Sequence, residues 1–374
     1  MSTENTLKRD PSLTNQIISV GGSPFERGYE HGRRAKEGIK KNLQFYLDLW
    51  RYSSGLDRDQ ILKKAKEFIP YIENAGLDLI EELQGVAEGS GKEFDEIIAL
   101  NSRYELSSAL IKAQKGCCEG CTAYSLTPEA AQDHHMFVGE NWDYKPGIKN
   151  SCVILRIDQE KKPSMILHTE AGIIGHKGFN SAGLGICLNF LQSDKDVFQP
   201  GLPVLIKIRC MLNSESLPDC LDILKSSAIT NSVNIIIAHR KGEAIDVECA
   251  PGGTFFLYPE RGILTHSNHF LSSSFRANDV IKGLLPDTVA RNRRASQLFR
   301  EKRGELQYNT IQDVLKDHLG NPDSICRHQN RSLHLNDRWE TLTSMIINLT
   351  EGKMLFTNGP PCSNKYETIA MEIG

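Results

Sequence analysis

Up to Leu110 the apolar residues of this chain recur at helical spacing, whereas from Cys121 they fall into short runs separated by turn residues. That change of period restricts the fold to a helical layer packed on sheet. Leu43, Tyr46, Leu47 and Trp50 share one face of a long amphipathic helix, with Pro24 placed at a first helical turn. Ile61 to Ile72, Leu77 to Ala87 and Phe94 to Leu110 repeat the pattern, broken at Gly76 and at Gly89 to Gly91. A short strand at Gln16 to Val20 precedes them.

Beyond Cys121 the β-prone runs are Cys121 to Leu126, Met136 to Gly139, Cys152 to Ile157, Ser164 to Thr169 and Gly185 to Phe190. A helical pair, Val204 to Leu212 and Leu217 to Leu224, comes next. Val233 to His239 and Ala244 to Cys249 then straddle Lys241-Gly242 as a hairpin. Thr254 to Tyr258 and Gly262 to Thr265 add strand, and a helix is expected near Thr310 to Asp317. Thr341 to Leu349 and Lys353 to Phe356 close the chain around Glu351-Gly352. Two packed sheets with helices outside accommodate this order.

A net charge of -3 over 374 residues gives no field that would favour nucleic acid or an anionic membrane, so a small-molecule partner is expected. Met1 to Leu13 lack the apolar stretch of a signal peptide, no run is long enough to span a membrane, and Met371 to Gly374 make no peroxisomal tripeptide. A cytoplasmic location follows as an expectation. The ten cysteines are scattered through apolar stretches, which suits reduced thiols.

Only Cys117, Cys118 and Cys121 cluster, where helix gives way to sheet. A zinc reading would pair Cys118 with Cys121, but it needs two further ligands, and His266 with His269 is a weak source. A redox reading needs a thioredoxin-like βαβ context that this β-rich segment does not offer. The third reading is cleavage of the Gly120-Cys121 bond by the Cys121 thiolate. Glycine leaves its carbonyl open to attack, and the freed α-amine, with a reference pKa near ~8, can take the thiol proton without a histidine. Against it stands a buried cysteine at a strand end, and position alone leaves the two level.

Further residues tip the balance. Gly22-Ser23-Pro24-Phe25-Glu26-Arg27-Gly28, Leu100-Asn101-Ser102-Arg103 with Glu105, Gly120-Cys121-Thr122 and Asn141-Trp142-Asp143 form a series with Thr169 to Gly175, Thr265 to His269 and Ser324 to Arg327. The series resembles the fungal isopenicillin N acyltransferase family of N-terminal-nucleophile cysteine hydrolases. The resemblance implies an α+β, four-layer αββα fold, two stacked mainly antiparallel sheets between helical layers. It also implies a precursor cut into a helix-rich chain, Met1 to Gly120, and a sheet-rich chain, Cys121 to Gly374, which stay associated as one domain.

Carried over by motif, Cys121 is the nucleophile, Asp143 the carboxylate near the new amine and Arg327 the cation beside the thiol. Asn268 is an oxyanion donor, and Asn189 resembles the second donor of the related bile-salt and penicillin V hydrolases. The family's Asp-Gly-Cys is Glu119-Gly120-Cys121 here, and Gly116-Cys117 is a rival cut site; Thr122-Ala123-Tyr124 favour Cys121. The implied activity is acyltransfer or amide hydrolysis on acyl-CoA or amide-linked acyl groups of small amino-acid or peptide-derived metabolites. A pure hydrolase of small N-acyl amino compounds and a non-catalytic binding relative are the alternatives. No cofactor or metal is expected, with acyl-CoA allowed as a cosubstrate. His31, His266 and His269 are read as packing or hydrogen-bonding residues, and Gly85 to Lys92 as no phosphate loop, because the spacing is wrong and Glu93 replaces the required hydroxyl residue. Asp194 to Gly201 and Asn268 to Pro286 are read as the loops that set specificity.

Overall fold

The computed structural model describes residues 16–110, 120–225, 228–334 and 337–374. Cys117, Cys118 and Glu119 lie outside them. Strand β1 (Gln16–Val20) leads into helices α1 (Pro24–Arg34), α2 (Lys36–Ser54), α3 (Arg58–Lys66), α4 (Ile69–Ala75), α5 (Leu77–Ser90), α6 (Phe94–Asn101) and α7 (Arg103–Leu110). Then come β2 (Gly120–Leu126), β3 (Phe137–Tyr144), β4 (Cys152–Ile157), β5 (Met165–Glu170), β6 (Lys177–Asn180) and β7 (Leu184–Phe190). Helices α8 (Val204–Leu212) and α9 (Leu217–Lys225) precede β8 (Val233–His239), β9 (Glu243–Ala250), β10 (Gly253–Leu257) and β11 (Ile263–His266). Helices α10 (Val280–Leu284), α11 (Asp287–Glu301) and α12 (Tyr308–Leu315) lead to β12 (Glu340–Asn348), β13 (Lys353–Phe356) and β14 (Glu367–Ala370).

The single long helix expected after Pro24 is two helices. Ser23 caps α1 through a box in which its hydroxyl accepts from the Glu26 N–H while the Glu26 carboxylate accepts from the Ser23 N–H at 2.8 Å. The break at Ala35 lets α1 lie flat on α5. Contact there is backbone to backbone: a Cβ on Gly28 would stand 2.0 Å from the Glu82 carbonyl oxygen, and one on Gly85 2.2 Å from that of Phe25. The glycines around Gly85 thus serve helix packing, and no phosphate loop is formed.

The strands make an eight-stranded sheet, β1-β4-β5-β6-β7-β8-β9-β10, and a six-stranded sheet, β11-β2-β3-β12-β13-β14. Alternation along each strand assigns the layers. Ile154, Ile166, Phe179 and Ile236 of the larger sheet meet Ala123, Val138, Met345 and Ile347 of the smaller one. On the opposite faces, Leu155, Leu167 and Leu188 pack on the helices before Cys121 and on α8 and α9, while Tyr124, Leu126 and Ile346 pack on Phe299 of α11 and Ile311 of α12. This is a four-layer αββα arrangement.

Several sequence motifs turn out to tie the helices of the first layer to one another and to the larger sheet. Glu82 takes Arg27 at 2.7 Å and Arg209 at 2.9 Å, and Glu170 takes Arg103 at 2.8 Å. Asn101 donates to the Gly172 carbonyl and accepts from the Ile174 N–H, so the motif at Leu100 to Arg103 docks on the one at Thr169 to Gly175. Among the described residues no helix is long and apolar enough to cross a membrane.

His31 accepts the Gly172 N–H at 3.1 Å, and burial, reinforced by Arg209, pushes its imidazole down to about 4. Because the folded value lies below the unfolded one, the unfolded chain binds the extra proton. The stability tied to neutral His31 is therefore complete above the ordinary histidine value and shrinks as pH falls toward 4. At about pH 5 the loss is about 2 kcal/mol. Urea unfolding at about pH 7.5 and pH 5 should show this drop, and His31→Gln should lack that share of it; identical pH dependence in both proteins would exclude the assignment.

Candidate active site

Strand β2 is flanked by β11 and β3, and these neighbours deliver the site. The β11 register runs Thr265 to Tyr124 and His266 to Ala123; carried two residues further it sets Asn268 opposite Cys121. On the other side Gly120 faces Asp143 and Cys121 faces Trp142. The Cys121 N–H donates to Asn268 Oδ1 at 2.8 Å. Asn268 Nδ2 donates to the Phe190 carbonyl at 3.0 Å, which ties this strand end to the last residue of β7 in the other sheet.

Asp143 points away from the second sheet, into the layer of α11 and α12. Its Oδ1 accepts from the Thr341 hydroxyl at 2.7 Å and its Oδ2 from Arg327 Nε at 3.2 Å, while the Arg327 N–H donates to the same threonine oxygen at 2.9 Å. Space beside Gly120 is taken by Asp143. A Cβ there would come within 3.1 Å of Asp143 Cβ and 3.2 Å of its Oδ2, so glycine is what lets the carboxylate reach the peptide before Cys121.

The ring closes through α11. Arg291 Nη1 donates to the Cys121 carbonyl at 2.6 Å and to Thr122 Oγ1 at 3.0 Å, and Nη2 donates to Asn268 Oδ1 at 3.0 Å. Its Nε donates to Asp287 Oδ2 at 2.9 Å, and Asp287 also accepts from Arg327, which pairs in turn with Asp323. Burial raises the Asp143 carboxyl above its ordinary value, against the pull of Arg327, Arg291 and Thr341. Burial acts the same way on Asp287, but there the two guanidiniums win and its pKa is lowered. For Arg327 burial works against the charge, yet Asp143, Asp287 and Asp323 outweigh it and keep the guanidinium protonated.

Cys121, Gly120, Asp143, Asn268 and Arg327 are thus brought into one hydrogen-bonded network. Asn189 is not part of its bonds. It lies on the inter-sheet side of β7, where its Oδ1 accepts from Asn234 Nδ2 at 3.1 Å and its buried Nδ2 has no partner among the described residues. His266 pairs with Glu248 at 2.9 Å and His269 with the Thr288 hydroxyl at 3.1 Å, so both are buried hydrogen-bonding residues. Beside Arg327 and Asp287 opens a cavity of about 350 Å³ lined by Leu284, Leu285, Leu333 and Trp339.

Arg291 and Asp287 were not singled out by sequence reasoning, which assigned no element to residues 287–301. The signal was Thr288, Arg291, Ala295 and Phe299, all buried at helical spacing. An arginine on the inward face hides that pattern from a search for apolar periodicity.

Two face-to-face sheets between helical layers, with a glycine-cysteine pair opening an inner strand of one sheet, give the αββα architecture of the N-terminal-nucleophile hydrolase fold. Residues 130–361 match the family described as acyl-coenzyme A:6-aminopenicillanic acid acyl-transferase, and the chain belongs to that family. It is accordingly an enzyme of an acyltransferase family. The matched span holds Asp143, Asn189, Asn268, Asp287, Arg291 and Arg327 and begins after Cys121. The chain is 28% identical over 355 residues to the 40 kDa form of acyl-coenzyme A:6-aminopenicillanic-acid-acyltransferase of Emericella nidulans, covering 95% of each. It also resembles the solved structures of a mutant conjugated bile acid hydrolase from Clostridium perfringens and of penicillin V acylase from Agrobacterium tumefaciens. The first is 15% identical, with a TM-score of 0.47 and coverage of 67% of this chain and 92% of the other. The second is 12% identical, with a TM-score of 0.47 and coverage of 67% and 86%.

Proposed function

We propose that Cys121 is the N-terminal nucleophile of a self-processing cysteine acyltransferase or amidohydrolase. The observation that carries this reading is the Cys121 N–H held on Asn268 Oδ1 at 2.8 Å, with Asp143 and Arg327 against Gly120. In the uncut chain that amide nitrogen stands in for the α-amine of the processed enzyme.

Processing begins when Cys121 Sγ adds to the Gly120 carbonyl carbon and the peptide C–N bond breaks, giving a thioester and a free α-amine. Water then hydrolyses the thioester, releasing the Gly120 carboxylate and the thiol. In turnover the amine takes the thiol proton as Sγ attacks a substrate acyl carbon. The second Nδ2 hydrogen of Asn268 and the Nδ2 of Asn189 serve as donors to the oxyanion, and the amine returns the proton to the leaving group. Asp143 orients the α-ammonium, Arg327 favours thiolate over thiol, and Arg291 fixes the Cys121 carbonyl.

The leaving and accepting groups decide between transfer and hydrolysis. We assign acyl-CoA or a small N-acylated amino compound as donor and an amine, or water, as acceptor, with no cofactor and with the two processed chains remaining associated. The described cysteines outside the site, such as Cys152, Cys187, Cys220 and Cys249, are thiols, which supports a reducing, cytoplasmic setting. Rapid mixing with an acyl-CoA series and an N-acyl amino acid series should give a burst of first product, about one per active site. Mass spectrometry should locate the acyl adduct on the peptide that begins at Cys121. An adduct on another residue, or turnover with no covalent adduct under quench, would exclude the mechanism.

A further inference from the structure

Away from the nucleophile, four side chains from three segments converge beside Arg327. His318 follows α12, Cys326 and His328 flank Arg327 in the next loop, and Cys362 lies in the loop after β13. Their donor atoms all lie within 4.8 Å of one another. His328 Nε2 is 3.1 Å from His318 Nε2, 3.3 Å from Cys362 Sγ and 3.6 Å from Cys326 Sγ.

We propose that His318, Cys326, His328 and Cys362 form a tetrahedral site for a zinc ion. With zinc–sulfur bonds of about 2.3 Å and zinc–nitrogen bonds of about 2.0–2.1 Å, a tetrahedron has edges of about 3.3 Å between nitrogens and about 3.6 Å between nitrogen and sulfur. The three distances above match those edges. Two thiolates and two imidazoles select a borderline-soft ion and disfavour magnesium or calcium, which take oxygen ligands. Direct hydrogen bonding explains the cluster less well: His328 Nε2 can have only one role at a time, donor or acceptor, yet three groups crowd it.

The local backbone is arranged for this. The Cys326 N–H donates to the Asp317 carbonyl and the His328 N–H to the Pro322 carbonyl, each at 3.0 Å, so the loop returns both ligands to the end of α12. Cys326 is buried while His318 and Cys362 are exposed, which leaves a path for the ion from solvent. Binding exchanges two S–H bonds for two zinc–sulfur bonds and releases two protons to water. The role is structural: all four positions are filled by protein, and the ion pins the loop that carries the Arg327 guanidinium to Asp143.

The test is metal analysis of protein purified in reductant with no metal-affinity step, dialysed, and compared with Cys362→Ser, His318→Ala and Cys121→Ala. Circular dichroism verifies that each variant is folded. About one equivalent of zinc per chain is expected in the wild type and in Cys121→Ala, with at least about a tenfold loss in the other two. Cobalt substituted for zinc should give a thiolate charge-transfer band and the strong visible bands of a tetrahedral ion. Reduced wild-type protein that takes up neither metal overturns the site, even where a Cys326–Cys362 disulfide has formed before reduction. Folded Cys362→Ser and His318→Ala that keep the full equivalent overturn it as well, as does loss of the metal in Cys121→Ala.

Discussion

Cys121→Ala is expected to purify as one uncut polypeptide and to show no turnover, whereas the wild type yields pieces that end at Gly120 and begin at Cys121. Alanine removes one sulfur atom from a buried strand position, and the backbone bonds to Asn268 and Arg291 do not involve that atom. Fold and site should therefore survive, which makes the chemical consequence readable. Loss of the nucleophile in a group that acts as a unit lowers the rate on the order of 10⁴ or more. Intact mass under denaturing conditions, with sequencing of the smaller pieces from their amino ends, reads the cut directly. A variant still cut at Gly120-Cys121 would sink the assignment, and a wild-type cut before Cys117 would move the nucleophile four residues upstream.

A related feature makes Gly120 part of the same argument. The sequence offered glycine as an open carbonyl and a flexible backbone. In the structure its missing side chain has a further use, because a Cβ would press on Asp143 at 3.1–3.2 Å. In the proposed processing the carboxylate stands beside the peptide that would be cut. Afterwards the same position suits the α-ammonium that forms there.

Strand and helix positions were legible where burial follows a simple period. The run from Cys121 to Leu126 alternates between the second sheet and the outer helices, and the α5 run reads as one helix. What escaped were elements whose inward face is polar or whose partners are far away in the chain. Helix α11 buries Arg291 where a leucine would have announced a core face. The Lys177 strand, β6, buries its lysine against Glu140 of β3 at 2.5 Å, so its first residue looks like surface in the sequence. The His318, Cys326, His328 and Cys362 cluster has none of the paired spacings that mark a zinc motif, because its ligands arrive on three segments. Asp143, Asn268 and Arg327 were found only through the motifs around them; charge and spacing alone would have left them as ordinary surface or paired groups.

Arg291→Met should fold but lose most activity, and it separates positioning from nucleophilicity. Methionine keeps most of the buried chain's length while removing the donors to the Cys121 carbonyl, Thr122 and Asn268. Asp287 then keeps only Arg327 of its two cations, and breaking one half of a buried pair costs about 3–5 kcal/mol of stability. Lysine should not restore function, because one ammonium cannot span three acceptors and Asp287 in the fork geometry that the guanidinium uses. With Asn268 Oδ1 no longer held by Arg291, both the acceptor for the Cys121 nitrogen and the Nδ2 donor lose their alignment. A fall in kcat on the order of 10²–10³ is expected, with KM changing much less, since Arg291 contacts strand backbone and Asn268 and lies outside the residues that line the cavity beside Arg327. Thermal unfolding run in parallel separates the two effects. A variant that loses stability as stated but retains kcat within about threefold would make Arg291 a buried ion-pair partner and nothing more.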